Sequence, residues 1–410
     1  MRAINTFQAL FKAESQSMKA KNFVAQILYR INPYWDEISW NRQQDQRMRT
    51  AGVTPRRTRK VNLFVDRPVH VVIVPQIPPD SESFVAGHRD LYFEAGQLLS
   101  ENLGPEHVSI FGVSSGETPR EWQSRLVAFV KETGATHILT HIETDPGNQL
   151  ESWTWDQALT RLLNANWDGA LLGVNFDSAF KWIQARSRRL AKLSPQFIAV
   201  DICMPLDGLL VRGRSEIGPV NMPVSHLSLD MANTAISLAK KDFDVSFIGA
   251  LYPYRVDLIN SLKSRGINVA VNPHRGDVTS DFEASRANQP SWLDYMTGLA
   301  SSHMTINFSQ SSAGPYEQLK TRVIEATLAG TYLLTDDKDR TRLFFEPDQY
   351  STFETIEELP ELIQSLLANR DQLDKCVRKA QERAKKLAVT DFWSQIDQGL
   401  LARGLPQILR

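Results

Sequence analysis

Cysteine is nearly absent from this chain: two residues in 410, Cys203 and Cys376, far apart and with no Cys-x-x-Cys spacing. That argues against a disulfide framework or a zinc site and fits a reducing, cytoplasmic setting. No apolar run approaches the ~18 residues of a membrane-spanning helix. The first residues lack the apolar core of a secretory signal. Neither a Gly-x-x-x-x-Gly-Lys-Ser/Thr loop nor a Gly-x-Gly-x-x-Gly is present, which disfavours a kinase, an NTPase or an ordinary dehydrogenase. Internal repeats and low-complexity tracts are also missing. Net charge is −1, so the whole chain is not a polyanion binder, and no nucleic-acid partner is expected.

What is present is an ordinary globular composition, 42% apolar and 23% charged, in a chain long enough for two or more domains. Charge is uneven: residues 1–60 hold 12 Lys/Arg against 4 Asp/Glu. Within them Val24, Ile27, Leu28 and Ile31 form a helical stripe, with Lys19, Lys21 and Arg30 nearby, and Pro33 ends it. Arg47, Arg49, Arg56, Arg57, Arg59 and Lys60 follow. Two readings stand: an amphipathic basic element on an anionic membrane surface, or a helix packed on the next domain plus a solvated linker. The second is favoured. Residues 1–60 are therefore read as a helical, basic extension.

From Val69 the pattern becomes strand–helix alternation. Expected strands are His70–Val74, His107–Phe111, Thr136–His141, Ala170–Asn175 and Gln196–Asp201; expected helices are Gly87–Glu101, Thr118–Glu132, Trp153–Asn164 and Ala179–Leu193. Such alternation implies a parallel sheet with helices on both faces, and such sheets bind ligands at the carboxyl ends of their strands. His141, Glu143, Asn175 and Asp177 end or follow strands. Asp177 reads equally as a cleft residue or as a helix N-cap. His141 reads as a packed residue. Trp153, Trp155 and Trp167 offer sugar-binding faces but suit a core role better.

After a connection over residues 220–235, a second series begins. Asp244–Gly249 is a strand ending in glycine, followed by Arg255 at a helix start. Glycine lets backbone approach a phosphate, and arginine pairs with one bidentately; the rival reading is an arginine packed at a helix terminus. Met304–Phe308 is a strand, so Asn307 and Ser309 border the cleft. A stretch running from Gly314-Pro315 through Glu317, Arg322 and Glu325 to Gly330 then reads as loop, helix and buried strand. Leu319, Val323, Ala326 and Gly330 share one helix face. If helical throughout, Glu317 and Glu325 stand roughly 12 Å apart, about the span from sugar to ribose in a nucleotide sugar, with the helix start offered to phosphates between. Arg322 either contacts the nucleotide or pairs with Glu325 at i, i+3. Asp336-Asp337 reads as a turn, with no metal inferred. Residues 356–367 and 371–387 read as helices, and a last helix lies near Phe392–Leu401.

The paired glutamates followed by Ala, Leu, Ala, Gly and an apolar strand resemble the motif of retaining glycosyltransferases with the GT-B fold. The stretch from Ile306 to Leu359, with Arg322-Val-Ile-Glu325 inside it, resembles the CgeB-like, family-1-type branch. The likeness covers roughly Asp244 to Lys386. It implies an α/β, GT-B architecture: two Rossmann-like domains with parallel sheets facing an interdomain cleft, plus the helical N-terminal extension. The domains fall at residues 61–235 (acceptor) and 236–388 (nucleotide sugar), with 389–410 crossing back to the first. It also implies site roles. Glu325 holds the ribose, Arg255 and the loop at Gly249 the diphosphate, and Arg322 the nucleotide or leaving phosphate. Glu317 sits near the donor sugar, and Asp177 lines the cleft as a catalytic candidate. Many GT-B relatives carry a histidine near that place; Val174-Asn175-Phe176-Asp177 has none. The likeness implies no cofactor and no metal, a nucleotide-diphosphate sugar as co-substrate, and a glycan, lipid-linked or protein acceptor. The paired glutamates lean towards retention, a lean kept slight because this branch often keeps only the second glutamate. A sugar-nucleotide epimerase and a non-catalytic sugar-nucleotide or glycan-binding protein are the rival functions.

Overall fold

The computed structural model describes residues 37–54, 67–77, 91–147 except 115, 153–203, 215–249, 251, 253–272, 291–310, 317–336, 338–387 and 392–409. The expected stripe at Val24–Ile31, the basic run at 56–60, the Gly314-Pro315 loop and Asp337 lie outside the described residues.

Two parallel sheets organise the chain. The first has the order β2-β1-β3-β4-β5-β6, formed by β1 (Val71–Val74), β2 (Val108–Ile110), β3 (His137–His141), β4 (Ala170–Asn175), β5 (Phe197–Asp201) and β6 (Glu216–Ile217). Every pairing is parallel, as at Val72 opposite Ile138. A helix residues 37–50 (α1) precedes it, and α2 (Leu91–Leu103), α3 (Pro119–Thr133), α4 (Trp155–Asn164) and α5 (Lys181–Leu193) alternate with its strands. Helices on both faces bury the strands on both sides, so β1, β3, β4 and β5 are buried at every residue. The close packing has no room at Gly173 of β4, where an added Cβ would lie 2.6 Å from Phe197 and 2.7 Å from Ile142.

The second sheet has the order β11-β10-β9-β7-β8. Its strands are β7 (Phe243–Phe247), β8 (Val269–Val271), β9 (Ser302–Asn307), β10 (Tyr332–Thr335) and β11 (Tyr350–Thr352). Between and after them run α6 (His226–Leu238, before β7), α7 (Pro253–Ser264), α8 (Trp292–Ala300), α9 (Arg322–Leu328), α10 (Leu359–Ala368), α11 (Arg370–Lys386) and α12 (Phe392–Leu401). Counted from their own first strand, both sheets thus follow the order 2-1-3-4-5, the first adding a sixth strand at the end. The chain reverses its direction of winding between β1 and β3 in the first sheet and between β7 and β9 in the second. Adjacent loops part at those two points, and the carboxyl ends of the flanking strands open a crevice.

One apolar cluster runs through both domains, from Val71 and Leu99 of the first through Val220 and Ala232 to Val323 and Leu333 of the second. The connection α6 packs on α8, where the Trp292 indole donates to the Ser228 carbonyl at 3.1 Å. The chain then returns: α12 packs on α2 and β6, and Trp393 Nε1 donates to the Ala95 carbonyl at 2.8 Å. Trp153, Trp155 and Trp167 are buried in the first domain's other cluster. Helix α1 lies against this domain through Arg188–Glu37 (2.7 Å), Arg189–Asp45 (2.9 Å) and the Trp40–Trp153 ring contact. Arg42, Arg47 and Arg49 project from its outer side.

Candidate functional site

The crevice of the second sheet holds most of the residues singled out by the sequence. Gly249 follows β7 with φ +138°, a conformation side chains rarely adopt. Asn272, itself at φ +45°, clasps it: Gly249 N donates to Asn272 Oδ1 (2.7 Å), and Asn272 Nδ2 donates to the Gly249 carbonyl (3.1 Å). The Arg322 guanidinium rests on the glycine, 3.3 Å from where a Cβ would stand. A larger residue would displace that cation.

Arg255, in the first turn of α7, is buried. Its guanidinium carbon sits 5.3–5.4 Å from the ring centres of Tyr254, Phe247 and Phe308, and Nε donates to the Tyr254 hydroxyl at 2.8 Å. Aromatic faces hold a weakly hydrated guanidinium well, so this cation is fixed rather than splayed into solvent. Lys320 lies close to both arginines, whose charges, together with burial as the larger cause, hold its ammonium below the usual lysine range; Cys203 and Asp177 act the other way. Arg255 and Arg322 flank the Phe247–Gly249 segment, and Lys320 feels the charge of both. Beside them, Arg322 Nε, Asn307 Oδ1, Ser309 Oγ and Gln318 Oε1 are buried without a hydrogen-bond partner. Asn307 Nδ2 is used on Thr335 Oγ1 (3.2 Å), and Ser309 N on the Asp336 carboxylate (3.1 Å). Buried polar atoms are normally paired, and mutually repelling cations favour an anion between them. The arrangement suits a phosphate-bearing ligand.

Glu325, in α9, accepts from the Tyr295 hydroxyl at 2.8 Å. The Arg322 guanidinium also reaches that hydroxyl, and burial, with Glu325 beside it, pushes the phenol above its ordinary range. Arg322 and Glu325 are thus linked through Tyr295. Glu317 requires a correction. The helix begins only at Arg322, not at Glu317, so no ~12 Å helical spacing joins the glutamates. Glu317 instead forms an antiparallel bridge with Gln310, and Gln318 N donates to the Ser309 carbonyl at 3.0 Å. Pairing with the strand end outcompetes a further helical turn.

The first domain presents Asp177 to this crevice. It does not cap α5, whose N-cap is Phe180; its carboxylate accepts from Gln318 Nε2 of the second domain at 3.2 Å. Behind it, at the carboxyl end of β3, Glu143 Oε1 accepts from the amides of Phe176 (2.6 Å) and Asp177 (2.9 Å). Arg186 of α5 donates to the Glu143 carbonyl. Burial, and then the Asp177 charge, push the Glu143 carboxyl up to about 7. His141 Nε2 stands 3.9 Å from Glu143 Oε2, and its Nδ1 meets the Tyr92 hydroxyl at 2.9 Å. Burial pulls the imidazole down to about 3, so it is neutral at physiological pH. Asn175 is turned inward, its Nδ2 donating to the Gly173 carbonyl at 3.0 Å.

Lys320, Gln318, Tyr295 and Arg186 escape a reading of sequence alone. The one local hint was Lys320, two residues ahead of Arg322 in the segment that leads into α9.

Residues 255–390 match the family model described as glycosyl transferase-like. No curated protein matches the chain. Similar solved structures include sucrose-phosphate synthase from Thermosynechococcus elongatus (12% identity, 82% of this chain and 98% of that one, TM-score 0.47). Anabaena HepE in complex with UDP (12%, 82% and 100%, 0.49) and a putative UDP-N-acetylglucosamine 2-epimerase from Listeria monocytogenes (12%, 83% and 98%, 0.43) are others. The glycosyl transferase-like match falls within the second of the two parallel-sheet domains.

Proposed function

We propose that this protein is a glycosyltransferase that takes a sugar from a nucleotide-diphosphate donor held by the second domain and passes it to an acceptor presented by the first. The observation that carries this reading is the gathering of Arg255, Arg322 and Lys320 beside the unpaired side-chain oxygens of Asn307, Ser309 and Gln318, at the crevice of the second sheet. The departing diphosphate gains negative charge as its bond to the sugar breaks. Cations fixed in advance stabilise that charge most where water is excluded. They also supply the positive charge that a metal would bring, so transfer proceeds without one. Glu325, braced by Tyr295, accepts the ribose hydroxyls. Glu317, which pairs with Gln310, borders the sugar. Gln318 reaching across to Asp177 gives the two domains a polar contact through which closure is sensed.

On the acceptor side, Trp182 in the first turn of α5 is 45% exposed, unlike the three buried tryptophans the sequence drew attention to. Arg186, which also touches Glu143, stacks 4.4 Å from its ring centre. One ring face is covered and the side chain is presented next to the cleft. This suits an acceptor sugar, so the acceptor is taken to be a glycan, free or carried on a lipid or protein. The reaction belongs to glycoconjugate assembly, in a cytoplasmic setting.

Calorimetric titration of UDP, GDP, ADP, dTDP and CMP tests the donor site. One nucleoside diphosphate is expected to bind preferentially, and Glu325→Gln to weaken it at least tenfold, about 1.4 kcal/mol. Absence of binding by every nucleotide would remove the donor-site reading. Binding that ignores Glu325→Gln would remove only the ribose assignment.

A further inference from the structure

The first domain's crevice contains a carboxylate for which donor binding has no use. Glu143 sits where β3 ends, at the point where the first sheet reverses its winding, the place that faces the second domain's phosphate-binding groups through Asp177 and Gln318. Its Oε1 is fixed by two backbone amides and its main chain by Arg186. Oε2 is left facing His141, and the side chain keeps 9% of its surface exposed. Tyr92 and His141 form a short chain behind it: the phenol oxygen and Nδ1 share a hydrogen bond of 2.9 Å, and Nε2 stands 3.9 Å from Oε2. This is a positioned acid–base group, oriented by its neighbours, directly behind the Asp177–Gln318 contact with the second domain.

We propose that Glu143 takes the proton of the acceptor hydroxyl and that transfer therefore inverts the anomeric centre. The inference rests on the glycosyltransferase reading given above. The acceptor oxygen forms its bond to the anomeric carbon as its proton passes to Glu143. The bond from that carbon to the diphosphate oxygen breaks, and its electron pair leaves with the nucleoside diphosphate towards Arg255, Arg322 and Lys320. The base belongs to the first domain and the leaving-group cations to the second, and a single in-line displacement requires the two to act on opposite sides of the anomeric carbon. Retention gains no support from the paired glutamates, since Glu317 stands in a bridge five residues ahead of the helix. Glu143 is suited to the task because burial and the facing Asp177 carboxylate raise its proton affinity to near neutrality, against the two amides and Arg186. The buried Asp201 and Cys203 face the same group, both pushed upward in pKa by burial. His141 and Arg186 are positioning residues.

Water serves as the acceptor in the test, so the natural acceptor need not be known. UDP-α-glucose and GDP-α-mannose are incubated with the full chain, and the first sugar released is read by proton NMR before it mutarotates. The β-anomer is expected. Hydrolysis should rise with pH through about 7, where Glu143 becomes the free base. Glu143→Gln keeps an oxygen for the two amides; it should lower kcat about 100- to 10,000-fold and flatten the pH profile. Nucleotide affinity and the unfolding midpoint should stay within error of wild type, which a merely structural role would not allow. Release of the α-anomer overturns the proposal, as does a Gln variant that keeps its rate and pH limb. A chain that binds nucleoside diphosphate yet releases sugar from neither donor overturns it too, while leaving the donor site in place. Failure of any nucleotide to bind removes the parent reading and this one together. Should the variant not fold, the wild-type anomer still decides.

Discussion

Lys320→Met is expected to weaken nucleoside-diphosphate binding about 10- to 150-fold, the loss of one charge-assisted hydrogen bond of roughly 1.5–3 kcal/mol. The same variant should be no less stable than wild type without ligand. In the empty protein this ammonium is enclosed beside Arg322 and Arg255, and burial and those charges depress its pKa. A diphosphate reverses that balance by supplying negative charge, so the bound state holds the proton more tightly than the free state. Binding therefore takes up protons wherever the free lysine is partly deprotonated, and affinity falls as pH rises through its lowered pKa. Stability without ligand runs the other way. The unfolded chain binds more protons between the lowered pKa and about 10.4, so stability rises with pH across that window. Calorimetry in buffers of different ionisation enthalpy reads the proton uptake directly. Wild type should show it and Lys320→Met should not. Equal affinity in the two proteins, or a large loss of stability in the variant, would show that Lys320 serves the fold and not the ligand.

The contrast between Lys320 and its neighbours shows what a sequence exposes. Both α/β domains were legible because strands buried on two faces read as uninterrupted apolar runs, such as Val71–Val74 and Ala170–Val174, between amphipathic helices. Gly249, Arg255, Asn307, Ser309 and Arg322 all fall at the second sheet's crevice, because strand ends can be located from the same runs. Two short strands gave no such signal. β6 has two residues and β11 three. Helix α1 was missed because its buried side includes Gln44 and Met48 rather than a regular apolar stripe. Glu317 was misplaced because its bridge to Gln310 closes across a loop, a pairing that helical periodicity cannot register. The environment of Lys320 comes from Cys203 and Asp177 in the other domain, and that of Glu143 from amides and a guanidinium 33 to 43 positions later. Such proximity is created by packing two sheets, not by local spacing.

Arg189→Ala is expected to destabilise the first domain by about 3–5 kcal/mol, the usual cost of stripping one partner from a buried ion pair. Arg189 Nε donates to Asp156 Oδ2 at 2.6 Å; the Asp156 side chain is fully buried and that of Arg189 7% exposed. The guanidinium also reaches Asp45 Oδ1 at 2.9 Å and Asn41 Oδ1 at 3.2 Å, so one side chain ties α4 and α5 to helix α1. Burial already raises the Asp156 pKa, and Arg189 is the main influence opposing it. Without Arg189 the carboxyl must bury its charge unpaired or bind a proton. Its folded pKa then lies further above the unfolded value, so the variant gains stability as pH falls through that raised pKa. The deficit should therefore be largest near pH 7.5 and shrink towards pH 5.5. Adding Asp156→Asn should recover part of the loss at pH 7.5, because a neutral amide needs no counter-charge. Denaturant unfolding at the two pH values measures both effects. A loss below about 1 kcal/mol at pH 7.5, or one independent of pH, would mean that the pair contributes little and that α1 is held by the Trp40–Trp153 contact and Glu37 instead.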